Sequence, residues 1–305
     1  MRTFWEDPPC AIWPRTPISR CSTSAGEMKL PEIVVTGASG FLGRAVMAQL
    51  RQSGLPVVGV CRSSAAGMHR IADYCDTPSA DVVIHLAEEP DRAVVNGSDA
   101  PSHRQSEVVR QLVVRAGKVI YASSGAVYGD SGGAPFTTDD PAIGYDSYSR
   151  LKLANERIVL DAGGAVLRLA NLYGAGMSPN NVVSDIVRQI PGTGALRIRD
   201  DKPVRDLLAV TDAARAFLFA AEASCDGILN IGSGIGTSIG ALARLALQAA
   251  DQGHREVVVT NPSGRPSVNV LDASESQRRL GWSPASSLQD YFSQVFRNEV
   301  KVVES

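Results

Sequence analysis

The chain is poor in the residues that build disulfide or metal frameworks. Its five cysteines (Cys10, Cys21, Cys61, Cys75 and Cys225) are odd in number, and none stands in a C-x-x-C spacing. They read as reduced thiols of a cytoplasmic protein rather than as a disulfide or zinc scaffold. Four scattered histidines (His69, His85, His103 and His254) show no ligand spacing, so no metal site is expected. No apolar run reaches the roughly 20 residues of a membrane-spanning helix. Lys and Arg number 30 against 32 Asp and Glu, for a net charge of -2. No polybasic stretch is present, and neither nucleic acid nor an anionic membrane surface is an expected partner. Internal repeats and low-complexity tracts are also missing.

What remains is an ordinary globular composition, 44% hydrophobic and 20% charged over 305 residues. That length buries a core with ease and fits one large domain or two. The first 28 residues differ from the rest. They contain Pro8, Pro9, Pro14 and Pro17 with Trp5 and Trp13, show no helix or strand period, and lack the apolar core of a secretory signal. We read residues 1–28 as a disordered extension, with Met28 as an alternative start.

From Glu32 onward, strands and helices alternate. Short β-branched runs at 32–36, 56–61, 81–87, 118–123 and 165–169 read as strands. Helical spacing appears over 41–53, 102–115 and 145–160, and again over 212–222 and 239–252. Such alternation predicts an α/β fold, a Rossmann-type doubly wound parallel sheet with right-handed crossovers. After Tyr173 glycine and proline become frequent and the helices shorten. We expect a dinucleotide-binding domain over 29–174, with later segments returning to it, and a smaller C-terminal substrate-binding region over 175–305.

The first strand runs into Gly37-Ala38-Ser39-Gly40-Phe41-Leu42-Gly43 and then a helix. Gly37 permits the tight turn, Gly40 lets the backbone approach a pyrophosphate, and Gly43 allows close helix–strand packing. Position between a strand and a helix is the context that makes this Gly-rich turn a dinucleotide signal. An NAD site usually places an acid at the end of the second strand, about 20 positions on, to hold the ribose 2′-hydroxyl. Here that place holds Cys61, Arg62, Ser63 and Ser64. A guanidinium matches a 2′-phosphate bidentately, so Arg62 favours NADP over NAD. The alternative is that Arg62 is a solvated loop residue and NAD is bound.

Two more pieces carry chemistry. The strand at 118–123 leads into Ser124-Gly125-Ala126-Val127-Tyr128-Gly129, and Tyr148-Ser149-Arg150-Leu151-Lys152 opens a helix. Tyr148 and Lys152 share a helical face. A nearby ammonium favours a phenolate, which suits a tyrosine that must move a proton at neutral pH. Ser124, at the C-terminal edge of a strand, is placed to hydrogen-bond the reacting oxygen.

With these motifs in this order, the chain resembles the extended short-chain dehydrogenase/reductase family of nucleotide-sugar epimerases, dehydratases and reductases. The resemblance runs from about Leu30 to about Phe292. It implies that Ser124, Tyr148 and Lys152 are catalytic and that Gly37, Ser39, Gly40, Phe41, Leu42 and Gly43 line the dinucleotide. Asp73, in the string Ile71-Ala72-Asp73-Tyr74-Cys75-Asp76, is the implied adenine contact, and Leu86 and Ala87 are implied beside the cofactor. Tyr148 and Lys152 are implied to touch it as well. Arg168-Leu169-Ala170-Asn171-Leu172-Tyr173-Gly174 resembles the family's R-x-x-N-x-Y-G, and Arg205-Asp206 begins a second family string. Asn171 and Arg205 are thereby implied to hold the substrate diphosphate, with Ser124 as a further substrate contact. The family usually has a helix between positions matching Asp76 and Asp81, where this chain leaves only a few residues. A 4,6-dehydratase carries Thr-Asp-Glu where this chain has Ser124-Gly125-Ala126, which leaves the eliminating acids missing. The expected function is an NADP-dependent reductase of a 4-keto nucleotide sugar. The alternatives are a nucleotide-sugar 4-epimerase that retains NAD and a non-catalytic dinucleotide-binding sensor or scaffold. Family members often pair through two helices per subunit, so a homodimer is the expected assembly.

Overall fold

Four residues that favour extended backbone, Ile33-Val34-Val35-Thr36, form β1 (Ile33–Thr36), and every one is buried, as befits a strand covered on both faces. The computed structural model describes residues 32–303 apart from 90, 98, 99, 131, 132 and 224. The disordered extension expected over 1–28 lies outside the described residues. In chain order β1 is followed by α1 (Phe41–Gln52), β2 (Val57–Cys61), β3 (His69–Arg70) and β4 (Ala80–His85). Next come α2 (Arg92–Asn96), α3 (Ala100–Arg115), β5 (Ala116–Ser124), α4 (Ser147–Asp161) and β6 (Ala165–Leu169). The chain continues through β7 (Asn171–Tyr173), α5 (Val182–Gln189), β8 (Leu196–Ile198), β9 (Val204–Ala209), α6 (Val210–Glu222) and β10 (Gly227–Ile231). It ends with β11 (Gly236–Ser238), α7 (Ile239–Ala249), β12 (Val257–Val259), β13 (Val268–Asn269), α8 (Ser274–Leu280) and α9 (Leu288–Val303).

The central sheet has seven strands in the order β10-β6-β5-β4-β1-β2-β3. All its pairings are parallel, with β1 between β2 and β4 in the registers Val34↔Val58 and Val34↔Val83. This is the Rossmann-type doubly wound sheet anticipated from the alternation of elements. On one face α1 and α6 pack through Val46, Met47, Leu50 and Phe217, with the indole of Trp282 buried beside them. On the other face α3 and α4 pack through Val109, Leu112 and Val159. The strand order reverses across β1, and a crevice opens beyond the C-terminal ends of β1 and β4. In doubly wound sheets ligands bind at such a reversal.

Segments after Tyr173 build a second hydrophobic cluster around Ile186, Leu196, Leu242, Leu247 and Phe292. The chain nevertheless returns to the first sheet at β10, which pairs with β6. Asp206 fastens the two parts. Its carboxylate, raised in pKa by burial, accepts Ser233 N–H at 2.8 Å, Gly234 N–H at 3.1 Å and Leu271 N–H at 3.2 Å. Trp282 donates its Nε1–H to the Asp212 carbonyl at 3.0 Å.

One local feature departs from the sequence reading and a second follows from it. A short helix, α2, forms over residues that show no helical period, begun by Asp91 capping Ala93 N–H at 2.9 Å. Between β3 and β4 a single turn of 3-10 helix (Tyr74–Asp76) replaces a crossover helix. Asp73 caps that turn by accepting Cys75 N–H at 2.8 Å, and Thr77 Oγ1–H closes it on the Tyr74 carbonyl at 2.7 Å.

The tightest point of the fold is testable. A side-chain carbon on Gly43 would stand 2.1 Å from the Gly37 carbonyl oxygen and 2.8 Å from Ala38 Cα, both backbone atoms. Gly43→Ala is expected to lower unfolding free energy by roughly 1–3 kcal/mol, the usual cost of overpacking, and to weaken dinucleotide binding. An unchanged denaturant midpoint would show that α1 can move away from β1 at no cost.

Candidate active site

The Gly-rich turn is shaped for an anion. Gly37 takes a left-handed φ of 68°, and a side chain there would come within 3.0 Å of the backbone of Leu86 and Ala87. Gly40 caps α1 without any side-chain hydrogen bond, and the first turn of the helix carries no acid. Its leading N–H groups therefore face the crevice with the positive end of the helix dipole. Ser39 lies at the rim, its hydroxyl 3.5 Å from that of Ser63. Arg62, exposed at the end of β2, stands over the Tyr74 ring at 5.6 Å. The free N–H groups of this acid-free helix start and the glycine cradle fit a dinucleotide pyrophosphate.

Asp73 is more heavily engaged than the sequence implied. One carboxylate oxygen caps Cys75 N–H and the other pairs with Arg104 of α3. These contacts, the Cys75 bond foremost, hold its carboxyl down to about 2.

At the other end of the crevice, β5 delivers Ser124, whose hydroxyl oxygen accepts Ala126 N–H at 3.2 Å and so starts the turn Gly125–Tyr128. Helix α4 supplies Tyr148 and Lys152. Its start is fixed by a capping box in which Asp146 accepts Ser149 N–H at 2.8 Å while Ser149 Oγ faces Asp146 N–H at 3.1 Å. Helix α2 clamps the same point. Arg92 pairs with Asp146, Asn96 Nδ2 donates to it at 2.9 Å, and Asn96 Oδ1 accepts Tyr148 N–H at 3.0 Å. These bonds and the ion pair keep the Asp146 carboxyl well below the usual range despite the opposing effect of burial. Lys152 Nζ lies 5.7 Å from the centre of the Tyr148 ring and donates to the Ala122 carbonyl at 2.9 Å.

Glu88, just past β4, was not anticipated from the sequence. Its side chain is 5% exposed and its Oε2 accepts Lys152 Nζ at 2.6 Å. Tyr121 OH donates to the same carboxylate at 2.8 Å and Asn155 Nδ2 at 2.7 Å. Although burial alone would raise it, the attraction of Lys152 holds the Glu88 carboxyl below its ordinary value. A second buried ion pair lies one turn further along α4, where Arg168 donates to Glu156 at 2.7 Å and Ser123 Oγ donates to it as well. Asn171 Nδ2 reaches the Asp206 carbonyl at 3.4 Å. Arg205 is held by Ser267, through the carbonyl at 2.9 Å and the hydroxyl at 2.7 Å. Burial lowers its pKa from the ordinary arginine value.

One continuous cleft joins these groups. It runs from the Gly37–Gly43 turn and Arg62 and Asp73, past Leu86 and Ala87, to Ser124, Tyr148 and Lys152, and on to Asn171 and Arg205. Further guanidiniums that the motifs did not single out, those of Arg92, Arg199 and Arg265, also line it. Among the described residues, no group of three or more His, Cys, Asp or Glu is placed to hold a metal ion, and no helix is long and apolar enough to cross a membrane.

Fold and cleft together define a class of protein: a doubly wound dinucleotide-binding fold with a Ser, Tyr and Lys set at one end of its crevice. The chain belongs to the NAD dependent epimerase/dehydratase family, whose sequence model matches residues 33–232, within the extended short-chain dehydrogenase/reductases. It is similar to the dTDP-6-deoxy-L-talose 4-dehydrogenase (NAD(P)(+)) of Kitasatospora kifunensis, at 26% identity over 85% of this chain and 92% of that protein. It is also similar to the dTDP-4-dehydrorhamnose reductase of Streptomyces griseus, at 30% identity over 80% of this chain and 86% of the other. Among solved structures, UDP-glucose 4-epimerase from Thermotoga maritima with UDP-glucose superposes with a TM-score of 0.77 and 25% identity, over 89% of this chain and 99% of that one.

The burial of His85 predicts a fold sensitive to acid. It is 1% exposed, its Nδ1 sits 2.7 Å from Thr36 Oγ1, and its Nε2 has no protein hydrogen-bond partner, lying 4.0 Å from Glu88 Oε1. Burial pulls its pKa down to about 4, against the attraction of Glu88. A histidine depressed in this way is neutral in the fold but takes up a proton near pH 6.5 when unfolded. Its contribution to stability is therefore present above about pH 6.5 and is lost as pH falls toward 4. The protein is expected to be about 2 kcal/mol less stable at pH 5 than at pH 7 from this group. Urea midpoints of the parent and His85→Asn at both pH values check this; equal acid sensitivity in the two would assign the loss elsewhere.

Proposed function

We propose that the chain is an NADP-dependent reductase of a 4-keto nucleotide sugar, with Tyr148 as proton donor. The observation that carries the reading is Arg62, which stands at the end of β2 where an NAD site holds a carboxylate. Ser39 and Ser63 flank it, and a guanidinium with adjacent hydroxyls suits a ribose 2′-phosphate. Similarity to a dTDP-4-dehydrorhamnose reductase and to a 4-dehydrogenase that takes NAD(P)(+) supports the same reading.

In this reading the cofactor, when bound, supplies hydride to the carbon being reduced. The chain's own residues handle the oxygen. Tyr148 gives its phenolic proton to the keto oxygen as that oxygen gains charge, and Ser124 donates a hydrogen bond to it. Lys152 stays protonated beside Tyr148, consistent with the upward pull of Glu88 on its pKa against the downward effect of burial. Asn171 and Arg205 hold the substrate diphosphate, and Arg199 and Arg265 line the cleft beside them together with Asp130 and Asp200.

A second reading is a 4-epimerase that retains NAD, favoured by the likeness to the Thermotoga UDP-glucose 4-epimerase. The cofactor state distinguishes the two. A reductase is expected to purify with an exchangeable site that prefers NADPH, and Arg62→Ala should weaken NADPH binding by roughly 10- to 100-fold while leaving NADH nearly unaffected. Tightly retained NAD in the purified protein, with no effect of Arg62→Ala, would select the epimerase.

The chemistry has its own test. Tyr148→Phe is expected to lower turnover by about 100-fold or more, the usual contribution of a positioned acid, without changing NADPH affinity. Unaltered turnover in that variant would remove Tyr148 from the mechanism.

A further inference from the structure

Lys152 does not stand alone beside Tyr148. Of the three protons on its ammonium, one goes to Glu88 Oε2 at 2.6 Å and one to the Ala122 carbonyl at 2.9 Å. One remains for a cofactor hydroxyl or the Tyr148 oxygen. The Glu88 carboxylate is itself held on three sides, by Lys152, by Tyr121 OH and by Asn155 Nδ2. Asn155 is in turn anchored from α3, accepting Ser106 Oγ–H at 2.7 Å. This network ties β4, β5, α3 and α4 together around one ammonium.

A close ion pair is electrically a dipole. Its field falls off with distance more steeply than that of a single charge, so a carboxylate 2.6 Å from Lys152 offsets much of the positive potential that the lysine would otherwise place on Tyr148. A buried ion pair is also a poor way to gain stability, because the cost of removing both charges from water rivals their attraction. The placement of Glu88 calls for a role other than packing.

We propose that Glu88 is a positioning residue that locks the ammonium of Lys152 in place and offsets its charge, keeping the proton on Tyr148 to higher pH. The inference rests on the reading of Tyr148 as the acid. Its consequence is a wider working range: a tyrosine that keeps its proton still has one to give to a keto oxygen at alkaline pH, where a more strongly activated one has lost it, at the cost of being the weaker acid. Other charged groups around Tyr148 are balanced among themselves. Asp146 is paired with Arg92 from α2, and Glu156 with Arg168 from β6. His85 from β4 and Tyr121 from β5 face Glu88 and are buried in the neutral form, the pKa of the first pulled down and that of the second pushed up by desolvation.

The test is a spectroscopic titration of the full chain without added cofactor. Phenolate absorbance is followed against pH in the parent and in Tyr148→Phe, and the difference isolates Tyr148. The same pair is then measured with Glu88→Gln, which keeps the shape and an accepting oxygen but removes the charge. The Tyr148 difference curve is expected to move to lower pH by about one unit, a roughly tenfold change in proton affinity. The basic limb of the NADPH-dependent pH–rate profile should move with it. A difference curve that stays in place would overturn the proposal and leave Glu88 as a structural residue. If Glu88→Gln does not fold, Glu88→Asp, which draws the carboxylate away from Lys152, decides by the same shift in the same direction. Full turnover in Tyr148→Phe would sink the parent reading instead, whatever the titration shows.

Discussion

The Gly37 carbonyl oxygen lies 2.1 Å from where a side chain on Gly43 would begin, so helix α1 can sit where it does only because residue 43 has none. That approach sets the rest of the crevice. With α1 pressed against β1, its uncapped N-terminus points at the strand reversal, and the backbone of Leu86 and Ala87 closes over Gly37 from β4. A side chain at either glycine would push apart the surfaces that meet an anion. The same contact seats Val46, Met47 and Leu50 in the core beneath the sheet. Anion binding and core packing therefore depend on one pair of glycines.

At the far end of the crevice the constraint is electrostatic. Helix α4 carries Tyr148, Lys152 and Glu156 on one face at intervals of a helical turn, and both of its buried charges have partners on the sheet side, Glu88 and Arg168. Removing one member of such a pair leaves a stranded charge at a cost of about 3–5 kcal/mol, so α4 cannot slide or rotate without breaking both. The clamp from α2 on Asp146 and on Tyr148 N–H fixes its other end. Tyr148 is thus held from both directions along its helix before any ligand is bound.

Much of this was legible in the sequence because it depends on local pattern. The run Ile33–Thr36, the glycine spacing and the Tyr148–Lys152 interval announce themselves within a few residues, and strands buried on both faces read as continuous apolar runs. What was not legible depends on distant partners. Glu88 and Glu89 follow an apolar strand and look like the start of a solvated loop, yet Glu88 turns inward because Lys152 lies 64 positions away. Arg205 and Ser267 meet across 62 positions. Helix α2 has five residues, too few to show a period, and the strands after Tyr173 are mostly as short. Asp73 was singled out through the family resemblance alone, and its commitment to Arg104 was not legible, since that guanidinium comes from α3.

On the proposed reading, two charges at opposite ends of the cleft bear on the reaction, Arg62 read from the sequence and Glu88 not. Arg62 supplies a cation where a ribose-holding acid is usual, and a cation there favours a phosphorylated dinucleotide. Glu88 supplies an anion beside the lysine that activates the tyrosine, and an anion there favours the protonated phenol. An enzyme that oxidises and re-reduces one substrate in place needs its acid/base group to work in both directions and gains little from either bias. A one-way reductase gains from the first, since it consumes a reduced cofactor, and the second keeps a proton available on Tyr148 as the pH rises. Neither residue touches the other, and each is held by its own neighbours, Arg62 over the Tyr74 ring and Glu88 against Lys152, Tyr121 and Asn155, so the two can be altered separately.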